Sequence, residues 1–286
     1  MDVKARIDTA LRRHLIGRDR PRNYGVALRH GLFPGGARAR PLLAFGVAHA
    51  CGDDRPEVTD ALAASVEFLH CASLVHDDLP CFDDADTRRG RPSVHAAHGE
   101  ATAVLVGDGL IVMAFQALAD VAEEAGPRLG ALLAIVSESA GSPRGLVAGQ
   151  AMEAEDACGI TAYHAAKTGA LFEAAAAGGA AASGGDIALW KAVGAKLGAA
   201  YQIADDIHDR AGVSGALGKP TGQDEKLGRP NSVDEHGLMG AVKALERQIE
   251  DTVAAVPDIA EAAALKGLIR AQTARFLPKK LAIAAA

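Results

Sequence analysis

Two short segments of the chain gather aspartates at a spacing that could hold a metal cation. The first segment, LVHDDLPCFDDADTRRG, carries five aspartates, with two adjacent arginines near its end. Clustered carboxylates repel one another unless a cation lies between them, whereas arginine side chains bind phosphate through paired hydrogen bonds. Because no matching set of histidines or cysteines accompanies these oxygen ligands, the pattern favours Mg²⁺, which proteins hold with one or two carboxylates and phosphate oxygens.

Local geometry within each segment indicates which aspartates could face the same cation. In the second segment, YQIADDIHD, Asp205 and Asp209 are four positions apart and share one face of a helix. In the first, Asp77 and Asp83 are six positions apart, but Pro80 lies between them and removes a backbone donor. We therefore expect the helix to end near Pro80 and Asp83 to turn back towards Asp77. Either segment alone could be a solvated helix end, whereas the two together predict a site for Mg²⁺ and phosphate.

The segments that must position these aspartates are almost all helical by their pattern. Alanine is abundant and aromatic residues make up only 4% of the 286 residues, a composition that favours helix. The small residues Gly194 and Gly198 predict a close approach of two helices. We expect one all-α domain over residues 1–286. Apolar residues recur at helical spacing over segments 40–50, 57–79, 93–121, 128–140, 145–157, 162–182, 187–209, 233–256 and 259–276.

Composition and charge argue against several classes of protein. The net charge is −6, with no basic stripe that would indicate a nucleic-acid partner. No run of about 18 apolar residues predicts a membrane span, and the amphipathic N-terminus lacks the apolar centre of a signal peptide. The four cysteines form no metal-binding pair. We therefore expect a cytoplasmic protein that attracts an anionic substrate with local cations.

One alternative chemistry starts from the pair His76–Asp77, which resembles the His-Asp pair of metal phosphohydrolases. That chemistry needs further histidine ligands upstream, for which His49 and His70 are the candidates. It would leave the second aspartate segment without a role. The pattern therefore favours a site for magnesium and phosphate.

The motifs taken together resemble those of a known family. DDLPCFD and ADTRRGRPSVH, followed by YQIADDIHD and LGKPTGQDEKLGRPN, are similar to the trans-isoprenyl diphosphate synthases (polyprenyl synthetases), and most of all to bacterial geranylgeranyl diphosphate synthases of carotenoid pathways. The resemblance implies a helical bundle of the isoprenoid synthase type with a central active-site cavity, assembled as a homodimer. It also implies prenyl transfer without a side-chain nucleophile, between isopentenyl diphosphate and an allylic diphosphate.

The resemblance implies a role for each residue that matches a family motif. The expected ligands of three Mg²⁺ ions are Asp77, Asp83, Asp205 and Asp209. The expected contacts of the allylic diphosphate are Arg88, Lys167, Thr168, Gln202 and Lys219. Isopentenyl diphosphate is expected on Arg40, His70 and Arg89. The residues implied in the chemical step itself are Asp77, Asp83, Asp205, Lys167 and Lys219.

One position departs from the family pattern. The family motif GGKRLRP reads GGARARP here, so that Ala37 replaces the lysine that contacts isopentenyl diphosphate. Losing a charge-assisted contact costs about 1.5–3 kcal/mol, and Arg38 is the candidate to compensate. The departure leaves open a second function, a non-catalytic subunit that regulates a partner synthase. The complete aspartate motifs favour an active enzyme.

Small residues before the first aspartate predict the length of the product. In the family, aromatic residues four or five positions before that aspartate stop growth at C15, and here these positions are Ser73 and Ala72. Leu69 and Phe68 lie one helical turn deeper, about 5.4 Å along the axis, which is close to one isoprene unit. We therefore expect a C20 product, geranylgeranyl diphosphate, with a C15 farnesyl diphosphate synthase as the alternative.

Two further expectations concern related folds and assembly. A class I terpene cyclase shares the helical fold, but its second metal motif, of the type N-D-x-x-S-x-x-x-E, is absent near Asp205. The apolar segment 93–121 is the candidate interface of the implied homodimer, although a buried core helix would have the same pattern.

Overall fold

The computed structural model describes residues 3–155, 159–210, 232–259 and 261–273. Apart from one two-stranded hairpin, these residues form helices and their connections. The first helices are α1 (Val3–Leu15), α2 (Arg22–Leu32), α3 (Ala39–Ala50) and α4 (Pro56–Asp77), followed by strands β1 (Thr87–Arg88) and β2 (Arg91–Pro92). Next come α5 (Val94–His98), α6 (Glu100–Ala119), α7 (Ala122–Ala125), a 3₁₀ turn (Gly126–Arg128), α8 (Leu129–Ala140) and α9 (Leu146–Met152). The last elements are α10 (Ile160–His164), a π turn (Ala165–Gly169), α11 (Ala170–Ala182), α12 (Ile187–Arg210), α13 (Ser232–Ala255) and α14 (Ala262–Thr273).

The described residues fall into two compact units. The first contains the residues up to 136 together with 178–185, and the second contains the described parts of 137–177 and 186–286. The predicted all-α class is confirmed, because short strands occur only in the hairpin among the described residues.

Helix α4 forms the core of the first unit. It packs against α6, α3 and α1 and is apolar around most of its circumference, which is typical of a buried helix. Phe68 and Leu62 are fully buried, and burying one such side chain contributes about 1.5–3 kcal/mol. The end of α11 approaches closely, because a Cβ at Gly178 would lie 2.6 Å from the Leu62 side chain. This rigid core fixes α4, whose last residue is Asp77.

Helices α12 and α13 form the core of the second unit, around Ala204, Ile207 and Leu245. The predicted close approach at Gly194 and Gly198 is confirmed. A Cβ at Gly194 would lie 2.5 Å from the Phe172 backbone oxygen, and one at Gly198 would lie 2.8 Å from the Gly169 Cα. Glycine at these positions therefore lets α12 pack directly on α11 and the π turn.

The structure differs from the sequence prediction in several elements. Helices α1 and α2 were absent from the predicted segments, although α1 buries Ile7 and Leu11 and is amphipathic. The predicted helix over 93–121 is two helices, because the chain breaks at Gly99 with φ of 86°. The predicted helix over 145–157 ends at Met152, and the segment 162–182 contains the π turn.

The expectation that no segment has the length and composition of a membrane span also needs correction. By length and composition alone, α4 and α6 are apolar enough to cross a membrane. The apolar window of α4 is 78% buried, as in a core helix, whereas that of α6 is only 44% buried. Helix α6 exposes Val104, Leu105 and Val112, and therefore presents an apolar face on the first unit.

Candidate active site

The first aspartate segment begins where α4 ends. The Leu79 backbone N–H donates to the His76 carbonyl oxygen at 3.0 Å, and the Asp83 N–H donates to the Asp77 carbonyl oxygen at 2.9 Å. The helix therefore ends before Pro80, and the chain returns to its last turn. The predicted helix end and the return of Asp83 towards Asp77 are confirmed.

The second aspartate of this segment, Asp78, holds Arg88. The Arg88 Nε donates to both carboxylate oxygens of Asp78, at 2.9 and 3.2 Å, and its Nη2 donates to one of them. Both side chains are buried. Burial raises the pKa of the Asp78 carboxyl, and Arg88 opposes that rise. The hairpin thus presents Arg88 already fixed by a carboxylate, a partner that sequence reasoning did not identify.

The three residues predicted to hold isopentenyl diphosphate lie in one cationic cluster of the first unit. Burial lowers the pKa of His70 well below its usual range, and the charges of Arg40 and Arg89 lower it further. The Arg89 guanidinium donates to the Gly35 carbonyl oxygen and lies so close to Gly36 that any Cβ there would collide with it. This cluster of arginines around a neutral histidine is suited to bind an anion.

Arg38 does not supply the charge that is missing at Ala37. Its buried guanidinium forms an ion pair with Glu67 and donates to the Leu32 carbonyl oxygen at 3.0 Å. Ala37 itself is exposed. The expectation that Arg38 compensates is therefore wrong, because its donors are committed to Glu67 and Leu32 inside the protein.

In the second unit, a chain of hydrogen bonds connects the π turn to α12 and α13. The Thr168 hydroxyl donates to the side-chain oxygen Oε1 of Gln202 at 2.6 Å. The Gln202 amide donates to Asp206 Oδ1 at 2.9 Å, and the Ser232 backbone N–H donates to Asp206 Oδ2 at 2.8 Å. Asp205, the predicted metal ligand, remains partly exposed. Two predicted diphosphate contacts, Thr168 and Gln202, are thus held together, and Asp206 caps α13.

Asp206 is a buried carboxyl group whose hydrogen-bond donors, among the described residues, are all neutral. Its side chain is 1% exposed, and its hydrogen-bond donors are the neutral Ser232 and Gln202. Burial raises the pKa of Asp206 to about 6, against the lowering effect of these donors. Sequence reasoning missed this residue, since nothing in the doublet distinguishes its buried member from its exposed one.

Lys167 lies in the π turn against helix α9. Its ammonium forms an ion pair with Glu153 Oε1, which also accepts a hydrogen bond from the Tyr163 hydroxyl at 2.6 Å. Gln150 donates to the other oxygen of Glu153 at 3.1 Å. A Cβ at Gly149 would lie 2.5 Å from the Lys167 backbone nitrogen, so glycine is needed for this contact. Glu153, absent from the predicted residues, holds Lys167 in place.

The oxygen donors fit magnesium. Among the residues that the structure describes, no three His, Cys, Asp or Glu side chains lie close enough to hold a metal by themselves. Mg²⁺ does not require such a cage, because it is held by one or two carboxylates with waters and substrate phosphates. Asp77 with Asp83, and Asp205, supply that kind of donor. The Asp209 side chain and Lys219 lie outside the described residues.

The four residues predicted to set product length occupy different faces of α4. Ser73, Leu69 and Ala72 lie about 40°, 80° and 140° around the helix axis from Asp77. This is also the direction in which His76 faces α6. Leu69 and Ala72 are buried, and Ser73 is partly exposed.

The direction of Phe68 does not fit the prediction that it limits the product length. Phe68 lies nine positions before Asp77, about 180° around the axis. Its ring packs edge-on against His14 of α1, with ring centroids 6.3 Å apart. Phe68 is therefore a core residue between α4 and α1, and Leu69 is the better candidate to limit the chain.

Comparisons with known proteins agree with these features. Residues 22–266 match the family model of polyprenyl synthetases. The chain is 44% identical to a geranylgeranyl diphosphate synthase of Cereibacter sphaeroides over 285 residues, or 99% of both chains, and 45% identical to one of Rhodobacter capsulatus over 94% of both. A farnesyl diphosphate synthase of Geobacillus stearothermophilus is 36% identical over 87% of both chains.

Solved structures share the fold. An apo FPP/GFPP synthase of Zymomonas mobilis superimposes with a TM-score of 0.79 at 28% identity, covering 95% of this chain and 97% of the other. A geranyltransferase of Helicobacter pylori, complexed with magnesium and isoprenyl diphosphate, gives the same TM-score and identity over 88% of both chains.

Proposed function

The chain belongs to the polyprenyl synthetase family, and from that premise we propose that it condenses isopentenyl diphosphate with allylic diphosphates to give geranylgeranyl diphosphate. It is an enzyme of the prenyltransferase class with the all-α isoprenoid synthase fold. The observation that carries the C20 product is the identity of 44% and 45% to geranylgeranyl diphosphate synthases, against 36% to farnesyl diphosphate synthases.

The family is Mg²⁺-dependent, and the aspartates divide into two ligand sets. Asp77 and Asp83 would hold metal in the first set, and Asp205 and Asp209 in the second, with three ions when substrate is bound. Bound Mg²⁺ neutralises the diphosphate and makes it a better leaving group. The presence of magnesium in the Helicobacter pylori relative supports this assignment.

The basic residues bind and orient the two substrates. Arg88, with its orientation fixed by Asp78, and Lys167, held by Glu153, bind the allylic diphosphate together with Thr168, Gln202 and Lys219. Arg40, His70 and Arg89 bind isopentenyl diphosphate, since a bidentate guanidinium matches phosphate oxygens. Holding both substrates in one orientation replaces a bimolecular encounter by a unimolecular step.

The reaction needs no nucleophilic side chain. The carbon–oxygen bond of the allylic substrate breaks, and diphosphate leaves with the electron pair. The double bond of isopentenyl diphosphate attacks the resulting allylic cation, and a new carbon–carbon bond lengthens the chain by five carbons. A proton then leaves the adjacent carbon for the released diphosphate. Preorganised cations around the departing diphosphate lower the barrier.

Assembly and location are further parts of the proposal. Leu105 and Val112 on α6 are 59% and 54% exposed, and an apolar face of this kind supports a homodimer. We propose a single functional domain over residues 1–286 that acts in the cytoplasm without a membrane span or a nucleic-acid partner, and whose C20 product serves carotenoid biosynthesis. The alternative is a regulatory subunit. One observation favours it, namely that Ala37 replaces the family's lysine that contacts isopentenyl diphosphate.

Product sizing tests the function. The purified protein is incubated with Mg²⁺, isopentenyl diphosphate and, in turn, C5, C10 and C15 allylic diphosphates. We expect a C20 product from each starter and none in the presence of a chelator. A product that ends at C15 would identify a farnesyl diphosphate synthase, and a folded protein without product would favour the regulatory subunit.

A substitution tests what limits the product. Ala72→Tyr places an aromatic ring on α4 between the directions of Leu69 and Phe68, and we expect the product to shorten from C20 to C15. Phe68→Leu is the matched control and should leave the product at C20, since Phe68 faces His14. A C20 product from the Ala72→Tyr variant would contradict the prediction that this part of α4 limits the product length.

A further inference from the structure

One buried ion pair in the first unit belongs to none of the proposed substrate contacts. Arg38 and Glu67 are paired with side chains that are 5% and 3% exposed. Arg38 also donates to the Leu32 carbonyl oxygen at the end of α2, and its guanidinium lies 5.7 Å from the centre of the Phe33 ring. A charge pair so fully removed from water is not required for stability, because apolar pairs of similar volume commonly replace one at no loss.

The pair joins two segments that carry predicted contacts of isopentenyl diphosphate. Arg38 is the residue that precedes α3, two positions before Arg40, and its backbone is left-handed with φ of 52°. Glu67 is on α4, three positions and therefore one turn before His70. The pair thus fixes the start of α3, with Arg40, against the turn of α4 that carries His70.

The loop before Arg38 leads directly into the same pair and is held by Arg89. Gly35 and Gly36 have φ of 86° and 118°, which leaves the loop dependent on contacts for its shape. Arg89 donates to the Gly35 carbonyl oxygen and lies against Gly36. Arg89 also has a left-handed backbone, with φ of 54°. Left-handed conformations of residues other than glycine persist only where surrounding contacts impose them, and they cluster at functional sites.

We propose that the Glu67–Arg38 pair is a positioning element of the isopentenyl diphosphate site. The pair holds Arg40, His70 and the Arg89-bound loop in the geometry that binds isopentenyl diphosphate. This inference rests on the proposed function. Arg38 therefore acts indirectly, through its ion pair with Glu67, and the pair itself does not touch substrate.

Steady-state kinetics with each substrate varied in turn tests the proposal. Glu67→Gln removes the buried counter-charge of Arg38 and leaves only the partly exposed Asp8, 3.9 Å away. We expect the KM for isopentenyl diphosphate to rise roughly tenfold or more, as displaced binding groups lose their alignment. The KM for the allylic substrate should change less than about twofold. Glu67→Asp keeps the charge but is one methylene shorter. Its KM for isopentenyl diphosphate should lie between those of the wild type and of Glu67→Gln.

A double variant separates positioning from folding. Arg38→Met with Glu67→Met replaces the pair by apolar side chains, and we expect a melting temperature close to that of the wild type. The KM for isopentenyl diphosphate should nevertheless stay raised. A double variant with wild-type stability and a wild-type KM for isopentenyl diphosphate would overturn the proposal, because the pair would then only fill space.

Two further variants separate this inference from the function on which it rests. Arg40→Met should raise the same KM; if it does not, both the proposed isopentenyl diphosphate site and the positioning role fail. Asp60→Asn breaks another ion pair of α4, the one with Arg6, and should leave the KM unchanged. If Arg40→Met raises the KM but Glu67→Gln and the double variant do not, the site stands and the positioning role falls.

Discussion

The two aspartate doublets, Asp77–Asp78 and Asp205–Asp206, look alike in sequence. They differ in the partner that compensates the charge of the buried aspartate. In each, the first aspartate keeps part of its surface exposed and the second is buried, with 3% exposure for Asp78 and 1% for Asp206. Asp78 is paired with the guanidinium of Arg88, whereas Asp206 receives hydrogen bonds from the neutral Gln202 and Ser232.

The hydrogen-bond partner determines the role of each buried carboxylate. A charged partner keeps a buried carboxylate ionised, and the carboxylate in turn fixes the position of that partner, here the Arg88 guanidinium. Neutral donors satisfy the oxygens but compensate the charge less, so that the carboxyl takes up a proton more readily. The first doublet therefore fixes an arginine, while the second fixes an amide and the start of α13.

The largest effect on stability is expected at Asp78. Asp78→Asn leaves the buried Arg88 without its paired carboxylate, and breaking such a pair costs about 3–5 kcal/mol. Denaturant unfolding measures the change. The matched control is Asp54→Asn, which breaks the exposed pair with Arg128 and should cost less than about 1 kcal/mol. Equal losses in the two variants would remove the distinction between the doublets.

The pH dependence of unfolding sharpens the comparison at Asp206. The pKa of this carboxyl is raised in the folded protein to about 6, so the folded state binds its proton more tightly than the unfolded state. The resulting stability is fully present below about pH 4 and is lost as the pH rises through 6, by at most about 3 kcal/mol. The measurement is the unfolding free energy of metal-free protein between pH 4 and 7.

Asp206→Asn provides the control for this pH dependence. Asparagine cannot ionise, so the difference in stability between wild type and variant should change with pH in that window. The variant loses one acceptor oxygen, at a cost of about 1 kcal/mol. A difference that stays constant between pH 4 and 7 would contradict the assignment to Asp206.

Much of the fold and the residue types of the site could be predicted from the sequence. Helical periodicity located most helices, and Pro80 marked the end of α4. The partners could not be predicted, because Asp78 meets Arg88 ten positions away, Lys167 meets Glu153 across fourteen, and Arg38 meets Glu67 across twenty-nine. Such pairs depend on how helices and loops pack, which periodicity does not specify.

The direction of Phe68 around α4 could be predicted from the sequence alone. Its depth along the helix predicts a role in limiting the product, but depth does not specify direction. Nine positions at about 100° each place Phe68 opposite Asp77, and the structure shows it against His14. In contrast, no sequence signal indicated that Arg38 is buried with Glu67, since an arginine beside a glycine-rich loop is ordinarily a surface residue.

The most direct measurement compares kcat for the four asparagine variants of the two doublets under saturating Mg²⁺ and substrates. We expect Asp77→Asn and Asp205→Asn to lose about a hundredfold or more in kcat, with melting temperatures near that of the wild type. Asp78→Asn and Asp206→Asn should act mainly through stability and substrate affinity. Near-normal kcat in either of the first two variants would contradict the assignment of Asp77 and Asp205 to magnesium and the departing diphosphate.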